Sequence, residues 1–150
     1  MGGRGAKPVV LVAACVLVDA QGRVLITKRP EGKPLAGLWE FPGGKVERHE
    51  TPEQALIREL DEELGVRISA LVLTPLTFAS HAYAEFHLLM PVYACRHWQG
   101  DMTANEGQAL AWVSPEALST YAMPPADEPL KETLPGLLRL YGKSDDGDRE

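Results

Sequence analysis

The 150-residue chain is short of cysteine, of long apolar runs and of positive charge, and each shortage excludes a class of protein. With only Cys15 and Cys95, no disulfide framework can be built. Both lie in strand-like apolar runs and read as buried free thiols in a reducing cytoplasm. The longest apolar run, Val9–Val18, has ten residues, whereas a membrane span needs about 20. Arg4 and Lys7 precede that run, as in a secretory signal. It ends, however, in Asp19-Ala20-Gln21-Gly22 and not at a small-x-small cleavage site, and Val24-Leu25-Ile26 resumes the apolar pattern. A strand, a turn and a second strand explain it better. Position 6 is Ala6, so the myristoylation pattern is absent. Fifteen Lys and Arg against 21 Asp and Glu give a net charge of −6, with no basic stripe for a nucleic-acid duplex. His49, His81, His87 and His97 lack metal-ligand spacing such as H-E-x-x-H and are assigned to packing or surface. A single domain over 8–141 is expected, between a disordered leader (1–7) and a disordered acidic tail (142–150).

What remains is a mixed α/β pattern. Val9–Val18 and Arg23–Lys28 read as strands joined by a turn at Gln21-Gly22, and Arg29–Leu38 as a loop. Trp39-Glu40-Phe41 is a short extended stretch stopped by Pro42-Gly43-Gly44. Thr51-Pro52-Glu53-Gln54 opens a helix with an N-cap, a proline at the first position and a capping box; Gly65 ends it. Strands follow at Leu71–Phe78, Phe86–Arg96 and Ala109–Val113. Ser114–Leu118 is a capped short helix, and a final helix spans Pro125–Leu140 with a bend at Pro135. Trp98 and Trp112 are read as core or hairpin packing.

The charge excess has an address. Gly44–Val66 holds seven acids against three bases. On the helix Pro52–Leu64, Leu56, Ile57, Leu60 and Leu64 form one face, and Glu59, Glu62 and Glu63 another about a third of a turn away. Like charges so close repel, and near a helix C-terminus the dipole disfavours them. A hard divalent cation with oxygen ligands would resolve the conflict, and a solvated acidic face is the alternative; spacing alone does not choose. Gly43 and Gly44 let backbone approach a ligand closely, or simply form a turn.

Together these residues resemble the Nudix box, G-x5-E-x7-R-E-U-x-E-E-x-G-U with U aliphatic. The matching positions are Gly44, Glu50, Arg58, Glu59, Leu60, Glu62, Glu63, Gly65 and Val66, over 23 residues. Leu38–Glu47, Asn105-Glu106-Gly107-Gln108 leading to Trp112, and Met123–Leu130 are similar to the MutT-type branch, which hydrolyses nucleoside triphosphates. The resemblance runs from about Val9 to Leu140. It implies an α/β (α+β) Nudix fold, a mixed β-sheet sandwiched between helices. It implies Mg²⁺, with Mn²⁺ as a substitute, held by Glu59, Glu62, Glu63 and the Gly43 carbonyl. Glu106 would bind metal or orient the attacking water, Arg58 would orient the glutamates or the phosphates, and Gly44 and Glu50 would support the loop and helix. Arg29 would lie near the phosphates, while Phe41 and Asp127 would line a nucleobase pocket. The best-known MutT enzymes have Asn where this chain has Asp127, and related enzymes acting on cytidine nucleotides have Asp. That difference leaves the enzyme class intact and bears on the base alone. The activity the MutT resemblance implies is 8-oxo-dGTP hydrolysis to monophosphate and pyrophosphate, protecting the nucleotide pool. The alternatives are a dCTP or 5-hydroxy-dCTP diphosphatase and, third, a non-catalytic nucleotide-binding module. The implied partner is a nucleoside triphosphate, with no duplex and no membrane, and the chain is a monomer or weak homodimer.

Overall fold

The computed structural model describes the backbone of residues 7–148 and side chains as far as Gly142. Its strands are β1 (Val9–Leu17), β2 (Val24–Lys28), β3 (Trp39–Glu40), β4 (Gly43–Lys45), β5 (Leu73–Ala82), β6 (His87–Cys95) and β7 (Ala109–Val113). The helices are α1 (Pro52–Leu64) and α2 (Leu130–Asp148), with short 3-10 turns at Ala70–Val72, Pro115–Thr120 and Pro125–Asp127. A four-stranded sheet has the order β4-β1-β6-β5, with β1 and β6 parallel and the other pairs antiparallel. A second, antiparallel sheet has the order β3-β2-β7.

Strand β1 divides the core because alternate residues face opposite sides of a sheet. Ala14 and Val16 pack with Met90, Val92, Leu134 and Leu138, the side of α2. Ala13, Cys15 and Leu17 pack with Leu56, Leu60 and Leu64, the side of α1. A strand covered on both faces reads as one continuous apolar run, as Val9–Val18 does. Helices therefore lie on both faces of the mixed sheet, as the resemblance implied.

Helix α1 has the expected bounds. The Thr51 hydroxyl accepts from the Gln54 backbone N–H at 3.1 Å, and the Gln54 side chain accepts from the Thr51 N–H at 2.8 Å. Gly65 stops the helix in the left-handed region, φ 71°. Leu56, Leu60 and Leu64 are fully buried, each contributing about 1.5–3 kcal/mol relative to an exposed side chain.

β1 and β2 turn back at Asp19–Gly22 as expected and, apart from one bridge, Val18 to Val24, enter different sheets. β4 and β6 already occupy both edges of β1, so β2 has no edge to take. Other expectations are corrected. Pro42-Gly43-Gly44 does not simply stop the chain, since Gly43–Lys45 is a strand. The strand expected at Leu71 starts at Leu73 and continues to Ala82. The segment expected as one helix from Pro125 first makes a 3-10 turn; α2 then starts at Leu130 and passes through Pro135. It also continues to Asp148, so backbone 142–148, expected as disordered tail, is helical. Of the leader only Lys7 is described, its Nζ donating to the Tyr83 carbonyl at 2.7 Å; residues 1–6 and 149–150 lie outside the described residues. Trp98 and Trp112 stack with ring centroids 6.0 Å apart, and both cysteines are free and buried. Among the described residues no helix is long and apolar enough to cross a membrane.

Candidate active site

The helical angle sorts the three glutamates of α1. At 100° per residue Glu63 falls only about 20° from Leu56, whereas Glu62 falls about 120° away. Glu63 is accordingly drawn toward the core beside the apolar stripe, and the Glu62 side chain stays 54% exposed. Burial, a hydrogen bond with Glu59, and the charges of Glu59 and Glu106 push the Glu63 carboxyl up to about 9; the Gly43 N–H opposes them.

Arg58 holds the outer side of this group. Its Nε and Nη2 grip both Glu50 oxygens at 2.7 and 2.8 Å, Nη1 reaches Glu59 at 3.1 Å and Glu62 at 3.4 Å, and Nη2 also meets the Lys45 carbonyl at 3.2 Å. The guanidinium beside Glu50 holds that carboxyl at about 2. Arg58 is thus bound to the glutamates and to β4. Glu50 joins helix to loop, since it also accepts from the Glu47 N–H at 2.9 Å.

Two glycines make the close packing possible. A Cβ on Gly43, φ 149°, would strike the Ala13 carbonyl, and a Cβ on Gly44 would strike the Glu59 carboxylate. The Cys15 N–H bonds the Pro42 carbonyl and the Val46 N–H bonds the Leu11 carbonyl. Antiparallel alternation then turns the backbone groups of Gly43 and Lys45 away from β1, toward α1. The Gly43 N–H meets Glu63 and the Lys45 carbonyl meets Arg58 in keeping with that.

A cavity of about 610 Å³ opens beside these residues. Gly43, Gly44, Glu63 and Glu106 line it near the acids; Phe41, Tyr83, Phe86 and Asp127 line its apolar part. Tyr83 and Phe86, at the tip of the β5–β6 hairpin, stack with centroids 5.0 Å apart. The Tyr83 hydroxyl accepts from the Ala126 N–H at 3.3 Å, tying the hairpin to the Pro125–Asp127 turn. Asp127 is 5% exposed. Burial foremost, then the charges of Glu40 and Glu128, pushes it up to about 7. Arg29 lines the cavity and is held by Glu40 at 2.8 Å.

The structure thus brings together Gly43, Gly44, Glu59, Glu63 and Glu106, with Phe41 and Asp127 in the adjoining cavity. Glu62 stands at the exposed rim, outside the cavity lining. Tyr83, Phe86, Glu40 and Gln108 line the cavity without having been singled out as site residues. The first two sit at a hairpin tip and join the site only where it meets the Pro125–Asp127 turn, a contact 43 residues apart in sequence that no local pattern marks. Gln108 lay in a stretch noted for its resemblance.

Glu59 and Glu63 share a hydrogen bond and Arg58 holds Glu59 from outside. Among the described residues, no three acid, histidine or cysteine side chains are converged to hold an ion. The donor set still fits a hard divalent cation: it offers only oxygen, and a cation would offset the burial and the neighbouring carboxylates that raise the Glu63 carboxyl.

Comparison with known proteins decides the family. The NUDIX domain description matches residues 13–133. The chain belongs to the NUDIX domain family. This Nudix hydrolase is 39% identical over 133 residues to a CTP pyrophosphohydrolase of Escherichia coli, covering 87% of this chain and 94% of that one. It is 36% identical over 135 residues to an 8-oxo-dGTP diphosphatase of Haemophilus influenzae, covering 85% and 93%. Among solved structures it is similar to the E. coli ORF135 protein, with a TM-score of 0.76 and 35% identity over 89% of this chain and 93% of that one.

Proposed function

We propose that this Nudix hydrolase cleaves nucleoside triphosphates to the monophosphate and pyrophosphate, with 8-oxo-dGTP as its preferred substrate. The observation that carries the reading is the cavity itself: an aromatic-walled pocket with a buried acid opens onto the acid cluster. The base enters between Phe41 and the Tyr83–Phe86 pair. Asp127 and Glu40 present acceptor oxygens, which suits a base edge rich in N–H donors. An oxidised guanine carries such donors at N1, N2 and N7. A protonated Asp127 adds one donor of its own.

Glu59, Glu62 and Glu63 would hold Mg²⁺ (Mn²⁺ as substitute) with the Gly43 carbonyl. Bound there, the cation supplies charge neutralisation at the phosphates and a more acidic water. Glu106, which lines the same cavity as Glu63, would accept a proton from the attacking water. Arg58 holds Glu59 and Glu62 from the outer side, and Arg29 would meet the phosphates. Such an enzyme removes mutagenic nucleotides from the cytoplasmic pool.

The CTP-cleaving relative supports a second reading in which cytidine nucleotides are preferred. Pyrophosphate release from 8-oxo-dGTP, dGTP, 5-hydroxy-dCTP and dCTP, with and without Mg²⁺, separates the two. A kcat/KM for 8-oxo-dGTP far above the others is expected. Preference for the cytidine pair moves the enzyme to the second reading, and no Mg²⁺-dependent release from any of the four removes both.

A further inference from the structure

We propose that Gln108 is a positioning residue that sets the distance between Glu106 and helix α1, an inference that rests on Glu106 being a working acid. The last carbonyls of a helix lack intrahelical partners. In α1 the loop before β7 supplies them. The Glu62 carbonyl accepts from Asn105 Nδ2 at 3.2 Å. The Glu63 carbonyl accepts from the Asn105 N–H at 3.1 Å and from Gln108 Nε2 at 3.0 Å. The Leu64 carbonyl accepts from the Thr103 N–H at 2.9 Å and its hydroxyl at 3.2 Å.

Gln108 does more than cap. Its Oε1 accepts from the Glu106 N–H at 2.9 Å while its Nε2 holds the Glu63 carbonyl. One primary amide therefore bridges the peptides of two acids that line the same cavity. The chemistry specifies the residue. One neighbour is an acceptor and the other a donor, so the side chain must donate and accept at once, and only one amide orientation satisfies both. Glutamate cannot donate, leucine and methionine can do neither, and asparagine is a methylene too short to span both. Burial protects the bridge: Gln108 is 9% exposed, while Thr103–Gly107 of the same loop are exposed.

A double-mutant cycle tests this, reading pyrophosphate release at saturating Mg²⁺ from the fastest-cleaved of the four nucleotides named above. Glu106→Gln alone is expected to lower kcat about 30-fold or more, and Gln108→Met alone about tenfold with KM little changed. In the Gln108→Met background, Glu106→Gln should cost no more than about threefold, because the acid is already displaced. Thermal melting accompanies each variant. If Gln108→Met does not fold, Gln108→Asn takes its place with the same expected coupling. Penalties that simply multiply overturn the positioning role and leave Glu106 as a working acid. A Glu106→Gln chain as fast as the native one overturns both.

Discussion

Replacing Asp127 by Asn removes one titrating group from the cavity wall while keeping the side chain's size. Burial and the Glu40 and Glu128 carboxylates raise this acid from its ordinary 3.8 to about 7. The folded chain thus holds the proton more tightly than the unfolded one. The stabilisation this gives is fully present below about pH 4 and is lost as pH rises through about 7. At about 1.4 kcal/mol per tenfold change in proton affinity, the whole effect is about 4 kcal/mol. Between pH 5 and pH 8, linkage leaves about 2–3 kcal/mol of it. The Asn variant should therefore gain about 2–3 kcal/mol on the native chain over that interval. Urea unfolding of both proteins at pH 5, 6, 7 and 8 measures the gap. Other titrating groups, such as Glu50 held low by Arg58, are common to both chains and cancel. A gap that stays flat within about 1 kcal/mol, or that runs the other way, refutes the reasoning that burial keeps Asp127 protonated.

Three further outcomes are expected. Glu59→Gln should lower kcat at least about 10²-fold, because transition-state charge stabilisation is worth several kcal/mol; steady-state rates within tenfold of native would take Glu59 out of the central role. Gly44→Ala places a methyl against the Glu59 carboxylate and should lower kcat by about tenfold or more through misplacement of that acid, read by the same assay with melting as a control. Leu60→Ala, at a fully buried position on α1, should cost about 2–5 kcal/mol in urea unfolding.

How legible each part was followed from how local its cause is. The bounds of α1 were readable because Thr51, Pro52, Gln54 and Gly65 act within one turn of where they sit. The acids of the Nudix box were readable for the same reason, and helix angle even sorts Glu63 from Glu62. β4 was hidden because glycine disfavours strands by composition, and Gly43–Lys45 is strand only because β1 offers an open edge. The assignment of β1 and β2 to different sheets depends on β6, more than 60 residues away in sequence. The Tyr83–Phe86 wall depends likewise on a hairpin meeting the Pro125–Asp127 turn. α2 ran into the segment read as an acidic tail because composition marks solubility there, not backbone state.

The outward-turned backbone of β4 has a consequence for solubility. β4 is an edge strand of the four-stranded sheet, and an edge with unpaired N–H and C=O groups is a template for another chain. Here the Lys45 carbonyl is taken by Arg58 and the Gly43 N–H by Glu63. Side chains read as serving hydrolysis therefore stand where the next strand would add, and they cap the sheet against its own copies. A lesion at Arg58 would then carry two penalties, a slower site and a stickier protein.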